Sequence, residues 1–316
     1  MKLLLSRPLP VAVEQYAKTL FNTDIRQSYA PMSLEEMCRS LVEYDIVMPT
    51  LGDFFQKNVF AEAQNRRCKL LANFGVGYNH IDVDAARNHG IEVTNTPGAV
   101  TDATADIAMT LILMTARRAG EGERLVRNEK WQGWHPTQML GLHVTGRCVG
   151  IVGMGRIGKA IARRCHFGFQ TEIRYVSRTK KELEFHATYH SNLLDLASKC
   201  DIIVISVPAA HDTYHLINSA IFEAMQSHAI LINISRGDVI NETELIAALQ
   251  TKSLAGAGLD VYEHEPNIPK ELLKMENVTL LPHLGTAALD VRTDMGMMVI
   301  NNCLAFANKK ALPNPV

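Results

Sequence analysis

CVGIVGMGRIG, residues 148–158, runs from an apolar strand into three glycines and out into a helix. Val149, Ile151 and Val152 have the character of a buried strand, and residues 159–164 (KAIARR) carry helix-forming side chains. Between them a turn at Gly153 with positive φ, a bare backbone at Gly155 and a close helix–strand approach at Gly158 build a seat for a dinucleotide pyrophosphate. The free N–H groups at the start of the helix then face the anion. Glycine-rich turns also close ordinary loops, so the weight of the motif lies in its βαβ surroundings.

Those surroundings extend in both directions. Downstream, strand-like runs at 173–176, 202–207, 229–234 and 255–259 alternate with helical segments at 193–199, 219–226 and 242–251. Upstream, KLLL (2–5), DIVMP (45–49), KLLANF (69–74) and IEVT (91–94) alternate with amphipathic segments such as 11–20 and 34–42. Each set implies a mainly parallel sheet, so the expected class is α/β with two Rossmann-like domains. Between the sets, Thr96-Pro97-Gly98 breaks the pattern. Asp102 is then placed to cap a long helix through Arg118, apolar nearly all round and therefore buried, at the meeting of two domains. Residues 121–134 read as a charged helix ending in Trp131 and Trp134. The last helical stretch, 287–307, follows the second set. The expected organisation is a discontinuous substrate-binding domain of flavodoxin-like form (1–98 plus 286–316) around an inserted nucleotide-binding domain (99–285). Hinges are placed near 98–101 and 284–287.

Composition excludes several classes. A chain of 316 residues with 32 basic and 33 acidic side chains has no charge excess for nucleic acid or an anionic membrane surface. Its six cysteines (38, 68, 148, 165, 200, 303) include no CxxC, which argues against a zinc site or a disulfide framework and for a reducing, cytoplasmic setting. The three-leucine run at the start is shorter than a signal-peptide core, and the longest apolar stretch, 107–116, is shorter than a membrane span.

The cofactor is read from the end of the second strand of the βαβ unit. NAD-binding units usually place a carboxylate there for the ribose 2′-hydroxyl. Here the strand runs into Ser177-Arg178-Thr179-Lys180, whose hydroxyls and guanidinium suit a 2′-phosphate, so NADP(H) is preferred and NAD(H) is the alternative. The chemistry is read from three residues near strand ends. Arg236 lies in ISRG, Glu265 in DVYEHEP and His283 in PHLG. Beyond the carboxyl ends of an open parallel sheet, ligands bind. There a guanidinium can hold a 2-oxo acid, an imidazolium can donate a proton, and a carboxylate can keep that imidazole charged and oriented. Taken singly, each has a bland alternative: a solvated arginine, a helix-capping glutamate and a core histidine. Residues 74–80 (FGVGYNH) offer a nest of backbone N–H groups for a carboxylate, or a plain turn. Leu51 and the tryptophan pair are candidate walls of a substrate pocket.

The motifs VGYNHID (76–82), TPGAVTDATAD (96–106), GIVGMGRIG (150–158), LINISRGDVI (231–240), AGAGLDVYEHEP (255–266) and LLPHLG (280–285) together resemble the D-isomer-specific 2-hydroxyacid dehydrogenases. The resemblance covers essentially the whole chain in order. Within the family, YVSRTKK (175–181) and WQGWHPTQMLG (131–141) are most similar to NADPH-preferring glyoxylate/hydroxypyruvate reductases. It implies that His283 is the acid/base, Glu265 its partner and Arg236 the substrate anchor, with the substrate carboxylate held near Val76 and Gly77. It implies cofactor contacts at Thr104, Gly153, Met154, Gly155, Arg156, Ile157 and Gly158, then at Ser177, Arg178 and Thr179, and further at Val207, Pro208, Thr213, Ile234, Asp260 and Gly285. It also implies a homodimer in which Trp134 or Trp131 reaches the partner's pocket. Two departures stand out: 166–170 carries one residue more than the usual spacing, which would shift the 2′-phosphate contacts by one, and Ser235 replaces a common alanine. Competing readings are a phosphite dehydrogenase, suggested by WQGW, and a cofactor-sensing corepressor-like module, which the short tail and the missing acid disfavour. Formate dehydrogenases resemble the chain less, since that branch has glutamine where Glu265 stands.

Overall fold

A computed structural model describes residues 1–316, which form two compact units: Met1–Val100 with Thr286–Val316, and Thr101–Gly285. The first unit is built from β1 (Lys2–Leu5), α1 (Val11–Leu20), β2 (Asn22–Ile25), α2 (Leu34–Glu43), β3 (Ile46–Met48), α3 (Lys57–Glu62), β4 (Leu70–Ala72), α4 (Val83–Asn88) and β5 (Glu92–Thr94). Its strands are parallel in the order β2-β1-β3-β4-β5, the flavodoxin-like arrangement.

The second unit begins with α5 (Thr101–Ala116) and α6 (Ala119–Arg127) and continues through β6 (Cys148–Val152), α7 (Arg156–Phe169), β7 (Glu172–Val176), β8 (Ala187–His190), α8 (Leu193–Ala197) and β9 (Ile202–Ile205). It closes with α9 (Ser219–Ala224), β10 (Ile230–Asn233), α10 (Glu242–Gln250), β11 (Gly256–Leu259), α11 (Lys270–Lys274) and β12 (Val278–Leu280). The seven strands are parallel in the order β12-β11-β10-β9-β6-β7-β8. The chain starts this sheet in the middle and builds outward both ways, so the strand order reverses beside β6. The final helix, α12 (Leu289–Ala307), packs on α1 and β4 of the first unit.

The central strands are apolar on both faces because helices cover both faces. Along β9, Ile203 and Ile205 pack with Leu196, Ile221 and Leu245, while Ile202 and Val204 pack with Leu111, Ile112 and Ile161. Each fully buried side chain of this size contributes about 1.5–3 kcal/mol relative to exposure. The first unit repeats the pattern, with Val47 and Leu71 facing Leu41 and Val59, and Ile46 and Leu70 facing Val13 and Val299.

Several expectations are corrected. Asp102 does not cap α5; it lies within the first turn and accepts from Arg164 at 3.0 Å. The long helix stops at Ala116 rather than Arg118, which takes a left-handed conformation (φ +53°) as the N-cap of α6. The helix placed at 121–134 ends at Arg127, because Glu129 turns with φ +56° and the tryptophan segment follows without helix. The edge strands β2 and β8 were not expected from the sequence. No helix is long and apolar enough to cross a membrane.

Candidate active site

β10, β11 and β12 are neighbours, and the residues that follow their carboxyl ends meet. Asn233, the last residue of β10, ties these turns together. Its Nδ2 donates to the Arg236 carbonyl at 2.8 Å, and its Oδ1 accepts from the Ser235 amide and hydroxyl, both at 3.0 Å. Its own carbonyl accepts from the Asp260 amide just past β11 at 3.0 Å. Ser235 thus adds a hydrogen bond that an alanine would lack.

Asp260, only 1% exposed, then fixes the turn after β12. Its carbonyl accepts from the His283 amide at 2.9 Å, and its carboxylate accepts from Leu284 at 2.6 Å and Gly285 at 2.9 Å. Burial pushes the Asp260 carboxyl above its ordinary range, opposed by the two amides and the His283 charge. This clamp holds His283 at φ +55°, a conformation a β-substituted residue adopts only at a cost of about 1–3 kcal/mol. Thr104, buried in α5, donates to the Gly285 carbonyl at 3.2 Å and closes the turn.

In that conformation His283 Nδ1 lies 2.8 Å from Glu265 Oε2, with both side chains about one-third accessible. Glu265 Oε1 accepts from the Tyr262 amide at 3.0 Å. Burial raises the Glu265 carboxyl, but its hydrogen bond to His283, the His283 charge, the Tyr262 amide and Arg236 together outweigh that and leave it below the ordinary range. An ionised carboxylate only accepts, so Nδ1 carries a proton, and Nε2 has no partner in the chain. Arg236 is half-buried and donates from Nη1 to the Ser235 carbonyl at 2.7 Å. Burial lowers its pKa, with Glu265 and Asp238 opposing, and a guanidinium stays charged through such a shift. Three expected residues are therefore one cluster: a cation, an imidazole with a fixed tautomer, and the carboxylate that fixes it.

The glycine turn fits a dinucleotide. Gly153 has φ +101°, and a Cβ there would meet Val207 at 2.8 Å and the Ser206 backbone at 2.9 Å. At Gly158 a Cβ would press on the Gly153 carbonyl at 2.1 Å. Gly155 differs: a Cβ there would meet nothing within 4 Å, so nothing in the protein itself demands glycine, whereas a ligand lying against the backbone would. Gly155 also caps α7 without a side-chain hydrogen bond, and no acidic residue occupies the first turn, leaving its amides and the helix dipole open to an anion. Arg156 and Ile157 begin that helix, and Met154 is buried beneath it.

Ser177, Arg178 and Thr179 directly follow β7, with no carboxylate among them. Ser177 Oγ donates to the Thr179 carbonyl at 2.7 Å and Lys181 Nζ to Thr179 Oγ1 at 2.7 Å, while Arg178 is exposed and makes no hydrogen bond or ion pair. Val207 and Pro208 follow β9. Thr213 Oγ1 spans their loop, donating to Pro208 at 2.8 Å and accepting from the Ala210 amide at 2.8 Å. Ile234 is buried at the end of β10.

In the first unit, the loop after β4 is drawn taut by two asparagines the sequence reading passed over. Asn73 Nδ2 donates to the Gly75 and Gly77 carbonyls at 3.0 and 3.1 Å, Asn95 Nδ2 to the Val76 carbonyl at 2.8 Å, and the Thr96 amide to Gly75 at 3.1 Å. The carbonyls are thereby occupied, while the Val76 and Gly77 amides are used by no acceptor in the chain. A nest of this kind suits a carboxylate. Leu51, 37% exposed, lies on the loop after β3, held by fully buried Asp53. That carboxylate accepts from Ser6 Oγ at 2.6 Å, the Thr50 amide at 2.8 Å and the Met32 amide at 2.9 Å. Asn73 had one signal in the sequence, a small polar side chain directly after a buried strand, and Asp53 had none beyond its place in the loop after β3. Trp134 is 79% exposed and lines a surface hollow with Trp131, His135 and Glu276, apart from the cluster around His283.

A family model for the NAD binding domain of the D-isomer specific 2-hydroxyacid dehydrogenases matches residues 109–285. The chain belongs to that family. It is 40% identical to a glyoxylate reductase of Pyrococcus horikoshii over 100% of this chain and 95% of that protein. With a glycerate dehydrogenase of Hyphomicrobium methylovorum it shares 35% identity over 93% and 92% of the two chains. Its fold superposes on an NADPH-dependent glyoxylate/hydroxypyruvate reductase of Sinorhizobium meliloti, solved with NADP and malonate, with a TM-score of 0.88. That pair is 33% identical, with coverage of 100% and 96%.

Gly237 explains why the SRG turn and the Glu265 turn keep one geometry. A Cβ on Gly237 would lie 1.8 Å from the Tyr262 carbonyl carbon and 2.2 Å from the Glu263 amide nitrogen, so backbone packs on backbone. Gly237→Ala should force the turn carrying Glu265 outward, costing about 1–3 kcal/mol by overpacking and removing most activity. An active variant with the wild-type denaturation midpoint would show that the two turns are not coupled in this way.

Proposed function

We propose that the protein reduces glyoxylate to glycolate and hydroxypyruvate to D-glycerate with NADPH, in the cytoplasm and as a homodimer. The observation that carries the reaction is the 2.8 Å pair of His283 Nδ1 and Glu265 beside Arg236. Bound NADPH supplies the hydride to the carbonyl carbon. The chain's own residues do the rest. Arg236 holds the acid through N–H groups the protein does not otherwise use, and His283 Nε2 delivers the proton that the carbonyl oxygen takes up. Glu265, kept ionised, stabilises the imidazolium before transfer and holds the ring in place while a proton from solvent restores it afterwards. The amides of Val76 and Gly77 bind the substrate carboxylate. The Pyrococcus and Sinorhizobium relatives, reductases of glyoxylate by their names, support this substrate class.

For the coenzyme, the support is the end of β7, where Arg178 is unpartnered and no acid would repel a 2′-phosphate. For the dimer, it is two tryptophans, Trp131 and Trp134, that are 52% and 79% exposed in one segment.

Steady-state oxidation of NADPH and NADH, side by side, with glyoxylate, hydroxypyruvate and pyruvate tests this reading. Fast NADPH-dependent turnover of the two small acids is expected. No turnover with any acceptor despite tight NADPH binding would overturn it in favour of phosphite oxidation or cofactor sensing. Arg178→Ala should weaken NADPH by about 1.5–3 kcal/mol, the range for a charge-assisted hydrogen bond, and leave NADH nearly unchanged. Equal losses for both coenzymes would remove Arg178 from the 2′-phosphate site.

A further inference from the structure

At the amino ends of β6 and β9, opposite the glycine turn, two cysteines face each other. Cys148 Sγ and Cys200 Sγ are 3.6 Å apart and share a hydrogen bond. The strands that carry them are hydrogen-bonded neighbours, with the Asp201 amide donating to the Cys148 carbonyl at 2.9 Å and the Cys148 amide to Asp201 Oδ2 at 2.9 Å. Their backbones are thus fixed side by side. A disulfide needs sulfurs about 2.05 Å apart, so the bond would draw the two sulfurs together from 3.6 Å. Of the other four cysteines, Cys165, Cys68 and Cys303 are buried and Cys38 is partly exposed; Cys165 contacts the Met109 sulfur, and Cys68 and Cys38 donate to backbone carbonyls.

The two members of the pair are unequal. Cys148 is partly exposed and Cys200 is fully buried. The hydrogen bond shared with Cys200 draws Cys148 below the ordinary thiol range against its burial and the Glu172 charge, with the Arg174 guanidinium assisting. Arg174 is itself fixed, by Glu172 at 2.7 Å and His190 at 3.5 Å. The hydrogen bond with Cys148 raises Cys200, and burial adds to it. One thiol is therefore accessible and next to a cation, and the other waits in contact behind it.

We propose that Cys148 and Cys200 form a peroxide-responsive modification site, in which Cys148 is oxidised first and Cys200 resolves it into an intrachain disulfide. In the first step the Cys148 thiolate attacks a hydroperoxide oxygen, breaking the O–O bond and giving a sulfenic acid and, with a proton, water or an alcohol. In the second, Cys200 sulfur attacks the Cys148 sulfur, the S–O bond breaks, and hydroxide leaves with the Cys200 proton as water. The hydroperoxide is reduced and the two thiols are oxidised. The resulting ring encloses residues 149–199, which include the glycine turn, α7 and the 177–179 segment. The chemistry takes place at the far end of β6 from Gly153 and uses none of the residues assigned to reduction of the substrate.

The test uses the full chain. After brief exposure to a small excess of hydrogen peroxide and removal of the oxidant, the protein is denatured in N-ethylmaleimide and digested with trypsin without reductant. Peptides 148–156 and 200–236 should then appear joined, lighter by two hydrogens than their sum, and should separate on adding dithiothreitol, while Cys38, Cys68, Cys165 and Cys303 stay alkylated. Cys200→Ser should instead accumulate a dimedone-reactive Cys148, and Cys148→Ser should leave Cys200 unoxidised. Wild-type protein in which both cysteines remain alkylated after peroxide, or in which Cys148 passes to the sulfinic acid without joining Cys200, would overturn the proposal. That reading needs neither variant to fold.

Discussion

A buried carboxylate, Asp260, holds the candidate site in shape. Two backbone amides, Leu284 and Gly285, donate to it, and its own carbonyl receives the His283 amide, so the turn after β12 has little choice of conformation. His283 sits there at φ +55°, a position that free chain would relax away from. The strain is offset by hydrogen bonds made by a residue that is almost wholly buried. Losing one amide partner would leave part of a buried charge uncompensated, which is far more costly than the bond itself is worth. Asn233 extends the same logic to β10, so three adjacent strand ends carry Arg236, Glu265 and His283 in a fixed relation. The cluster is a consequence of parallel order: β10, β11 and β12 all point their carboxyl ends the same way.

The glycine turn obeys a different constraint. Gly153 and Gly158 are required by the protein, because any side chain would collide with the backbone of a neighbouring turn. Gly155 is not, and its freedom is what leaves the start of α7 approachable by an anion. Three glycines in one motif thus have two kinds of cause, packing and ligand access. At the end of β7 the chain adds a cation where a carboxylate is usual, and the coenzyme reading rests on that single exchange.

Much of this was legible in the sequence, and the reasons are physical. Buried parallel strands are apolar runs, so β6, β9, β10 and β11 announced themselves, as did the fold class and the family. The edge strands β2 (NTDI) and β8 (ATYH) did not, because an edge strand is half-solvated and its composition resembles a loop. The helix drawn through Trp134 failed for a local reason: charged residues at helical spacing continue past Arg127, but the backbone turns left-handed at Glu129. Arg236, Glu265 and His283 were recognisable as residue types at strand ends. The supports that make them a site were harder to see: Asp260 and Asp53 reach groups 21 to 47 residues away, a relation that no local pattern records, and the short-range bonds of Asn233 and Asn73 have no sequence signal beyond a polar residue at a strand end.

The most direct measurement is a single turnover of glyoxylate by His283→Asn preloaded with NADPH, alongside the binding constant of NADPH for the same variant. With the proton donor removed and the cofactor seat untouched, hydride transfer should slow by about 10²–10⁴-fold while NADPH affinity stays within experimental error of wild type. Transfer at the wild-type rate would contradict the assignment of His283 as the acid, and with it the reading of the three strand ends as a catalytic cluster.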